Sequence, residues 1–371
     1  MNTAPSVRAL TRRNFIKSVG IATSAALTPP VIVRAQAKPK IITLALVGCA
    51  HVHTPGFVQL LKGREDVKVK CVWDHDPARA KTHADALGSQ VAKNPGAIWS
   101  DAEVAGVVIC SETNRHHDLA LAAAQAKKHM FVEKPLGINA KESYEMANAI
   151  EKAGLLFTSG YFMRTLPAHL FLKEQITTGK LGQISRARAS FSQSVVLDGM
   201  FDKEARWMVD PKQAGFGGFG DIGTHPLDLL MWLLGDVESV TAEVRSVTNR
   251  YPGCDECGEA MLRFKNGVIG TVAAGWIDLE DLVRLQITGT EGHALIYRGQ
   301  LFYKSKKVEG ADGARPWRTL PELQSAPLVQ FVDAVAGQKM PLVPAREAAT
   351  RVSVMESAYR AAREHTWIKP A

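Results

Sequence analysis

Apolar runs and helical patterns alternate through residues 41–132, and this alternation limits the folds open to the chain. Apolar runs at residues 41–47, 67–73 and 107–109 predict strands, and a helical pattern follows each of them. Such alternation is typical of a parallel, doubly wound sheet. The predicted fold class is α/β, with an N-terminal Rossmann domain over residues 38–160.

The stretch Glu133-Lys134-Pro135 follows the apolar residues 130–132. It predicts a buried strand that delivers an acid and a base at its carboxyl end, where ligands bind in open α/β sheets. Pro135 restricts Lys134 to an extended conformation, so the lysine can be aimed at a substrate. For an isolated tripeptide of this kind, a solvated surface ion pair is the commoner interpretation.

The turn after the first strand keeps one glycine of the G-x-G-x-x-G dinucleotide motif. Gly48 stands at the first position, Ala50 at the second and His53 at the third. Ala50 is a mild change where the backbone approaches a pyrophosphate, whereas His53 replaces the glycine that permits close packing of helix on strand. Alone, this turn is weak support for dinucleotide binding.

Asp74 ends the second predicted strand. A carboxylate there accepts hydrogen bonds from a ribose diol and repels a 2′-phosphate. The sequence therefore favours NAD over NADP as cofactor, although His75 and Arg79 leave NADP possible.

His51 and His53 lie two residues apart in the first turn. We expect both to make polar contacts with cofactor phosphate or substrate. The alternative is that they share a metal ion. No carboxylate with matching sequence spacing accompanies them, so no metal is predicted.

Residues 161–371 change in character. Strand patterns are separated by turns, among which Asn266-Gly267 is a strong hairpin signal. Helical patterns at residues 168–177, 327–336 and 345–364 accompany them. We predict a C-terminal α+β domain, for substrate binding and oligomerisation, with an open, mostly antiparallel sheet. Because such a sheet must cover its other face, we expect a homodimer or homotetramer.

Three polar residues stand out at residues 217–235. If this stretch is one helix, Asp221, His225 and Asp228 fall at i, i+4 and i+7 and share a face. An acid paired with a histidine suits general acid–base chemistry. A capping aspartate with a core histidine is the commoner case for a single pair of this type.

Cys254 and Cys257 form one C-x-x-C pair. A structural zinc site needs a second half, which the sequence lacks. A disulfide, an idle loop pair and a redox centre all remain open for these two cysteines.

The N-terminus has the pattern of a twin-arginine export signal over residues 1–37. Arg12-Arg13 precedes an apolar run at residues 18–33, and Ala35-Gln36-Ala37 fits a cleavage site. A short membrane anchor is disfavoured by the length of the run and by two prolines. We expect a periplasmic or other extracytoplasmic protein with no stable membrane span after processing.

The net charge of +8 is largely a property of this signal. Residues 1–37 carry five basic residues and no acid, so the mature chain has a net charge of +3. Without a basic stripe, no nucleic-acid partner is expected.

The Rossmann pattern, the Glu-Lys-Pro stretch and the G-G-x-x-x-D-x-G-x-H-x-x-D segment, in this order, resemble the Gfo/Idh/MocA oxidoreductases. The resemblance implies that Lys134, Asp221 and His225 surround the reactive carbon and the nicotinamide, and that the peptide bond before Pro135 is cis. It places further residues near the cofactor: Gly48, Ala50, His51, His53, Asp74, Ser111, Thr113, Asn114, His116, Glu133. Contacts with substrate are expected from Tyr161, Arg164, Trp207 and Asp228.

The implied reaction is hydride transfer between a tightly bound NAD(P) and a hydroxyl of a sugar, cyclitol or glycoside. His225 would take the hydroxyl proton, polarised by Asp221, while Lys134 stabilises charge on the oxygen. Three alternatives stay open. They are glycoside cleavage through transient oxidation and elimination, sugar binding without catalysis, and a metal-dependent lyase using His51 and His53.

Overall fold

A six-stranded parallel sheet forms the N-terminal part of the protein. The computed structural model describes residues 41–203 and 205–371, and the predicted export signal lies outside them. The first elements are β1 (Ile42–Cys49), α1 (Thr54–Lys62), β2 (Val67–Trp73), α2 (Pro77–Leu87), β3 (Gln90–Val91), α3 (Pro95–Trp99), β4 (Gly106–Cys110), α4 (His116–Gln125), β5 (His129–Val132), α5 (Ala140–Lys152) and β6 (Phe157–Ser159). The strand order is β3-β2-β1-β4-β5-β6, with every pairing parallel. The predicted doubly wound sheet is confirmed.

The central strands of this sheet are buried on both faces. All five residues of β4 are buried, and so are seven of the eight residues of β1. Strands covered by helices on both faces read as continuous apolar runs rather than as alternation. That is why residues 41–47 and 107–109 were recognisable in the sequence.

An eight-stranded sheet dominates the C-terminal part. Its remaining elements are α6 (Pro167–Thr177), β7 (Ile184–Ser192), α7 (Pro211–Ala214), α8 (Gly218–Leu234), β8 (Val237–Arg245), β9 (Cys257–Phe264), β10 (Ile269–Gly275), β11 (Val283–Gly289), β12 (Gly292–Tyr297), β13 (Gln300–Ser305), β14 (Asp312–Pro316), α9 (Pro327–Val335) and α10 (Ala345–Glu364). The order is β14-β13-β12-β11-β7-β10-β9-β8, and only β7 and β10 pair in parallel. The predicted mostly antiparallel sheet is confirmed.

Helix α8 belongs to the C-terminal part and brings polar side chains towards the parallel sheet. It packs on β7 and β10 and is buried along almost its whole length, with Pro226 inside it. Helix α9 returns to the parallel sheet, where Leu328, Phe331 and Val332 pack against residues of β1 and β4. The last elements of the chain therefore complete the core of the N-terminal part.

Two smaller features bear on the sequence predictions. The Lys134–Pro135 peptide bond is cis, as the family resemblance implies. Cys254 and Cys257 are free thiols, and burial raises the pKa of both. Over the described ranges 41–203 and 205–371, no helix combines the length and the apolar character that a membrane crossing needs.

Candidate active site

The turn between β1 and α1 begins at a glycine that no other residue can replace without strain. Gly48 has a φ of +80°, and a Cβ there would lie 2.5 Å from the Cβ of Ser111. Both the positive φ and the close approach require glycine. The first position of the dinucleotide motif therefore keeps its structural role, and Ser111 is buried directly against it.

Asp74 lies at the end of β2, beside this turn. Its Oδ2 accepts a hydrogen bond of 2.6 Å from the Cys49 backbone N–H, and its Oδ1 accepts from Arg79 at 2.9 Å. The Arg79 guanidinium also pairs with Glu112 at 2.8 Å. Asp74 thus lies where a ribose is bound in this fold, with a half-buried arginine against its outer oxygen.

Lys134 and Asp221 meet across the two parts of the protein. Lys134 follows β5, and its Nζ lies 2.9 Å from Asp221 Oδ1, at the start of α8. The side chains are 4% and 14% exposed. A pair this sheltered holds the ammonium group in one place, because little water competes for it.

His225 lies one turn further along α8. Its ring packs edge-on against the rings of Tyr161, Phe162 and Phe191, and its buried Nδ1 has no hydrogen-bond partner among the described residues. Burial, followed by the charge of Lys134, lowers the pKa of His225 well below its ordinary value. The imidazole is therefore neutral near pH 7.

The expected pairing of Asp221 with His225 is corrected by this geometry. Asp221 gives its carboxylate to Lys134, and no hydrogen bond joins it to His225. Residues at i and i+4 share a helix face, but the carboxylate of Asp221 accepts its hydrogen bond from Lys134, which follows β5.

Lys134, Asp221 and His225 line one cavity of about 400 Å³. This volume falls within the roughly 300–1,000 Å³ usual for small-molecule sites. Most of the other lining is apolar: Val52, Phe162, Phe191, Val195, Met200, Phe201, Met208, Ile222, Trp276. None of these residues was predicted from the sequence, because they come from loops and strands that only the fold brings together. Aromatic walls with a few convergent polar groups are typical of a site for a small molecule with an apolar face.

A second polar group lies at the mouth of the β1–α1 turn. His53 is exposed, lines the same cavity, and its Nδ1 lies 2.9 Å from Oε1 of the fully buried Glu133. His51 is buried beside them, and burial lowers its pKa to about 3. His51, His53 and Glu133 each offer a ligand atom, and these atoms all lie within 4.8 Å of one another.

Trp207 covers the turn from the C-terminal part. Its indole Nε1 donates a 3.0 Å hydrogen bond to the Ala50 carbonyl, and its ring lies against His51. Trp207 and His51, together with Thr113 and Lys134, line a chamber of about 10 Å³, room for a single water. Trp207 therefore lines the small chamber beside the cofactor turn and not the larger cavity, and its expected contact with substrate stays a prediction.

Three of the expected substrate residues, Tyr161, Arg164 and Asp228, interact with other side chains of the protein. Arg164 and Asp228 form a two-pronged ion pair, which Arg351 and Glu347 extend. The Tyr161 hydroxyl hydrogen-bonds Thr224, and burial raises its pKa. None of the three lines the 400 Å³ cavity, and their expected contact with substrate stays a prediction. Arg351 and Glu347, 123 and 119 residues beyond Asp228, carried no sequence signal.

The segment after β4 supports the site in two ways. Asn114 is exposed and open to a ligand along this edge, whereas Thr113 is buried and faces only the small chamber. His116 is fully buried and contacts the carbonyls of Pro135 and Leu136 instead. Its role is to fix the turn that follows Lys134.

The described residues fit a bound dinucleotide at its adenosine end and at the sheet edge. Gly48 keeps the backbone close to Ser111, and Asp74 is held at the ribose position. The middle of the turn is altered, because the N–H of His51 donates to the Cys110 carbonyl and that of His53 to His51 Nδ1. Two donors that face a pyrophosphate in the standard motif are thus used internally.

Comparison with known proteins agrees with this architecture. Residues 42–161 match the model of the oxidoreductase family with an NAD-binding Rossmann fold, and residues 169–295 match the GFO/IDH/MocA C-terminal domain. The two matches cover most of the chain and follow the order seen in the structure. The protein belongs to the Gfo/Idh/MocA family of oxidoreductases, whose Rossmann domain binds NAD.

Individual relatives are more distant. A levoglucosan dehydrogenase of Pseudarthrobacter phenanthrenivorans is 28% identical over 219 residues, 53% of this chain and only 56% of that relative. The NAD⁺-dependent scyllo-inositol 2-dehydrogenase of Bacillus subtilis is 25% identical over 326 residues, 84% of this chain and 90% of the relative. The WlbA dehydrogenase of Bordetella pertussis, crystallised with NADH and UDP-GlcNAcA, superposes with a TM-score of 0.78 at 21% identity, over 90% of this chain and 98% of that one.

Proposed function

We propose that this protein is an exported, NAD-dependent oxidoreductase that transfers hydride between a tightly bound nicotinamide cofactor and a hydroxyl-bearing carbon of a sugar, cyclitol or glycoside. The main support for this proposal is that Lys134, Asp221 and His225 line one cavity beside the carboxyl edge of the parallel sheet. The relatives named for levoglucosan and scyllo-inositol support the carbohydrate class.

In this proposal, Gly48 and Asp74 hold the cofactor, which supplies the hydride acceptor when it is bound. Lys134 donates a hydrogen bond to the substrate oxygen and stabilises the negative charge that develops on it. Asp221 fixes the position of Lys134 through the 2.9 Å ion pair. His225, neutral and unpartnered at Nδ1, takes up the hydroxyl proton. The aromatic walls shield these steps from water.

The experiment compares wild type with Lys134→Met. Freshly purified protein is denatured, and the released nucleotide is identified by mass spectrometry as NAD or NADP. Native protein is then mixed with levoglucosan, scyllo-inositol or an alkyl glucoside, and reduced-nicotinamide absorbance is recorded. We expect Lys134→Met to retain the nucleotide and to lose its reduction.

The matched control is Lys70→Met. Lys70, in β2, also pairs with an aspartate, Asp101, and neither of these residues lines the 400 Å³ cavity. It should keep both nucleotide and reduction. Equal activity of Lys134→Met and wild type, or a natively purified protein without nucleotide, would defeat the proposal.

Export and assembly are part of the same proposal. The sequence pattern Arg12-Arg13 supports the twin-arginine route, and Arg12→Lys with Arg13→Lys should leave the protein in the cytoplasmic fraction.

Exposed Met261 and Ile269 lie on the face of the eight-stranded sheet away from α8, which supports a homodimer or homotetramer built on that face. Ile269→Glu should then lower the mass measured by light scattering.

A further inference from the structure

The buried carboxylate of Glu133 lacks a permanent cationic partner. Glu133 is fully buried, and it accepts hydrogen bonds from His53 Nδ1 and from the Lys134 backbone N–H. The ammonium of Lys134 is already paired with Asp221. Among the described residues, the ion-pair partner of Glu133 is therefore His53 alone, which is a cation only when it is protonated. A buried carboxylate in this position favours a positive ligand.

Two histidines complete the surroundings of Glu133. His53 comes from the β1–α1 turn, and His51 lies beside it at a ring distance of 4.5 Å. His51 is 2% exposed, and within residues 41–203 and 205–371 its Nε2 has no hydrogen-bond partner. A buried polar atom without a partner normally has an explanation, and an absent ion is one.

From this geometry we infer that His51, His53 and Glu133 form a binding site for one divalent transition-metal ion, Zn²⁺ above all. The three ligand atoms lie within 4.8 Å of one another. Ligands of one zinc ion, at about 2.0–2.2 Å from it, lie somewhat closer together than that limit, so small side-chain rotations complete the site. Two imidazoles and one carboxylate are the ligand set of several catalytic zinc sites.

The ion replaces the proton that His53 Nδ1 now shares with Glu133 Oε1. Because three protein ligands leave a zinc position open, the ion can also hold an oxygen of a bound small molecule. His53 lines the 400 Å³ cavity, so the ion enters from the same space as the substrate. A phosphate is a poorer occupant, because it would bring its negative charge to a buried carboxylate.

The sequence alone predicted no metal here, since no carboxylate has suitable spacing to His51 and His53. The third ligand lies 80 residues beyond His53 and reaches the histidines over the end of β4, which separates β1 from β5. A Cβ added at Gly160 would lie 2.9 Å from Glu133 Oε2, so close packing also holds this carboxylate in place.

The test uses the full chain, purified without a histidine tag and stripped with a chelator. Zn²⁺ binding is measured by equilibrium dialysis with elemental analysis, and Co²⁺ is added as a spectroscopic probe of coordination. We expect one ion per chain and a visible Co²⁺ spectrum of low-coordinate nitrogen and oxygen ligation. His53→Ala should weaken Zn²⁺ binding at least about 100-fold, since even an outer-shell loss costs roughly 10–100-fold.

His53 is half-exposed, so its replacement leaves the fold intact, and Glu133→Gln serves as a second variant. The matched control is His117→Ala, because His117 also lies beside two carboxylates, Asp118 and Glu145, at the surface. It should bind Zn²⁺ as wild type does. Substoichiometric binding by wild type, or equal affinity in wild type and His53→Ala, would overturn the inference.

This measurement is independent of turnover. Lys134→Met keeps all three ligands, so it should retain the ion even where it loses nicotinamide reduction. An enzyme that reduces its nucleotide but binds no Zn²⁺ refutes only the metal site. A protein that binds Zn²⁺ but contains no nucleotide refutes only the proposed reaction.

Discussion

Two aspartates on helix α8 provide a direct test of how the site is divided between structure and chemistry. Asp221 pairs with Lys134 at the cavity, whereas Asp228, two turns later, pairs with Arg164 and Arg351 in the interior. The same change, aspartate to asparagine, removes one negative charge at each position and alters the side-chain volume very little. We predict that Asp228→Asn is destabilising and that Asp221→Asn is mainly inactivating.

The magnitude for Asp228 follows from its burial. Asp228 is 0% exposed, Arg351 is 4% exposed, and the Arg164 side chain is 12% exposed. Asparagine leaves these two guanidinium groups with the partly exposed Glu347 as their remaining acidic partner in this network. Breaking a buried charge network from one side costs about 3–5 kcal/mol. With a urea dependence of roughly 3 kcal/mol per molar, the unfolding midpoint falls by about 1 M or more.

The magnitude for Asp221 is smaller in stability and larger in rate. Its carboxylate is 14% exposed and forms one ion pair, with Lys134. Because Lys134 lines the cavity, water can reach the ammonium group once it is unpaired, so the loss costs about 1–3 kcal/mol, less than at Asp228. Lys134 then loses its fixed position against the substrate oxygen, and kcat/KM falls by roughly 100-fold or more.

Urea unfolding followed by circular dichroism gives the first quantity, and kcat/KM per folded molecule gives the second. A variant Asp228→Asn that unfolds at the wild-type urea concentration but has lost turnover would refute this division. It would return Arg164 and Asp228 to the substrate site that the sequence suggested.

Three further changes test the packing that supports the site. Gly48→Ala forces a Cβ to within 2.5 Å of Ser111 at a φ of +80°. We expect the free energy of unfolding, measured with urea, to fall by about 1–3 kcal/mol, and mass spectrometry to show loss of bound nucleotide. Burial lowers the pKa of His169 to about 4. Below pH 7 the unfolded chain therefore takes up a proton at this histidine that the folded chain does not. As the pH drops from 7 to 5, this group lowers the free energy of unfolding by about 2 kcal/mol. His169→Gln should remove that pH dependence in urea titrations at the two pH values. Tyr359→Phe removes a donor to half-buried Asp255 at 2.9 Å, for an expected loss of about 1–3 kcal/mol in the same unfolding assay.

The parts of the fold that could be predicted from the sequence are those with strong local patterns. Strand β2 has the predicted bounds, residues 67–73, because apolar residues recur along it from end to end. Strand β6 has three residues and β14 is mostly exposed, so neither carries such a pattern. Helix α5 was missed although Asn139 caps it, because its residues are largely polar.

The candidate site divides in the same way. Lys134, Asp221 and His225 belong to two short motifs, and their convergence was expected from the family resemblance. The partner of each charge was not, because partners are chosen by distance in the folded chain. Arg351 lies 123 residues from Asp228, and Glu133 lies 80 residues from His53. Sequence spacing contains no record of either contact.

The ion pair between Lys134 and Asp221 has a consequence beyond the choice of partner. The lysine is fixed by β5 of the parallel sheet, and the aspartate by α8, which packs on the other sheet. The ammonium group is therefore held in place only while both sheets keep their relative position. Trp207 adds a second link of this kind, since its indole joins the C-terminal part to the Ala50 carbonyl. A change that breaks these two contacts and leaves the shared apolar core intact should lower turnover more than global stability. The two contacts position the reacting groups, whereas the core, which contains residues of both sheets, supplies most of the buried apolar area.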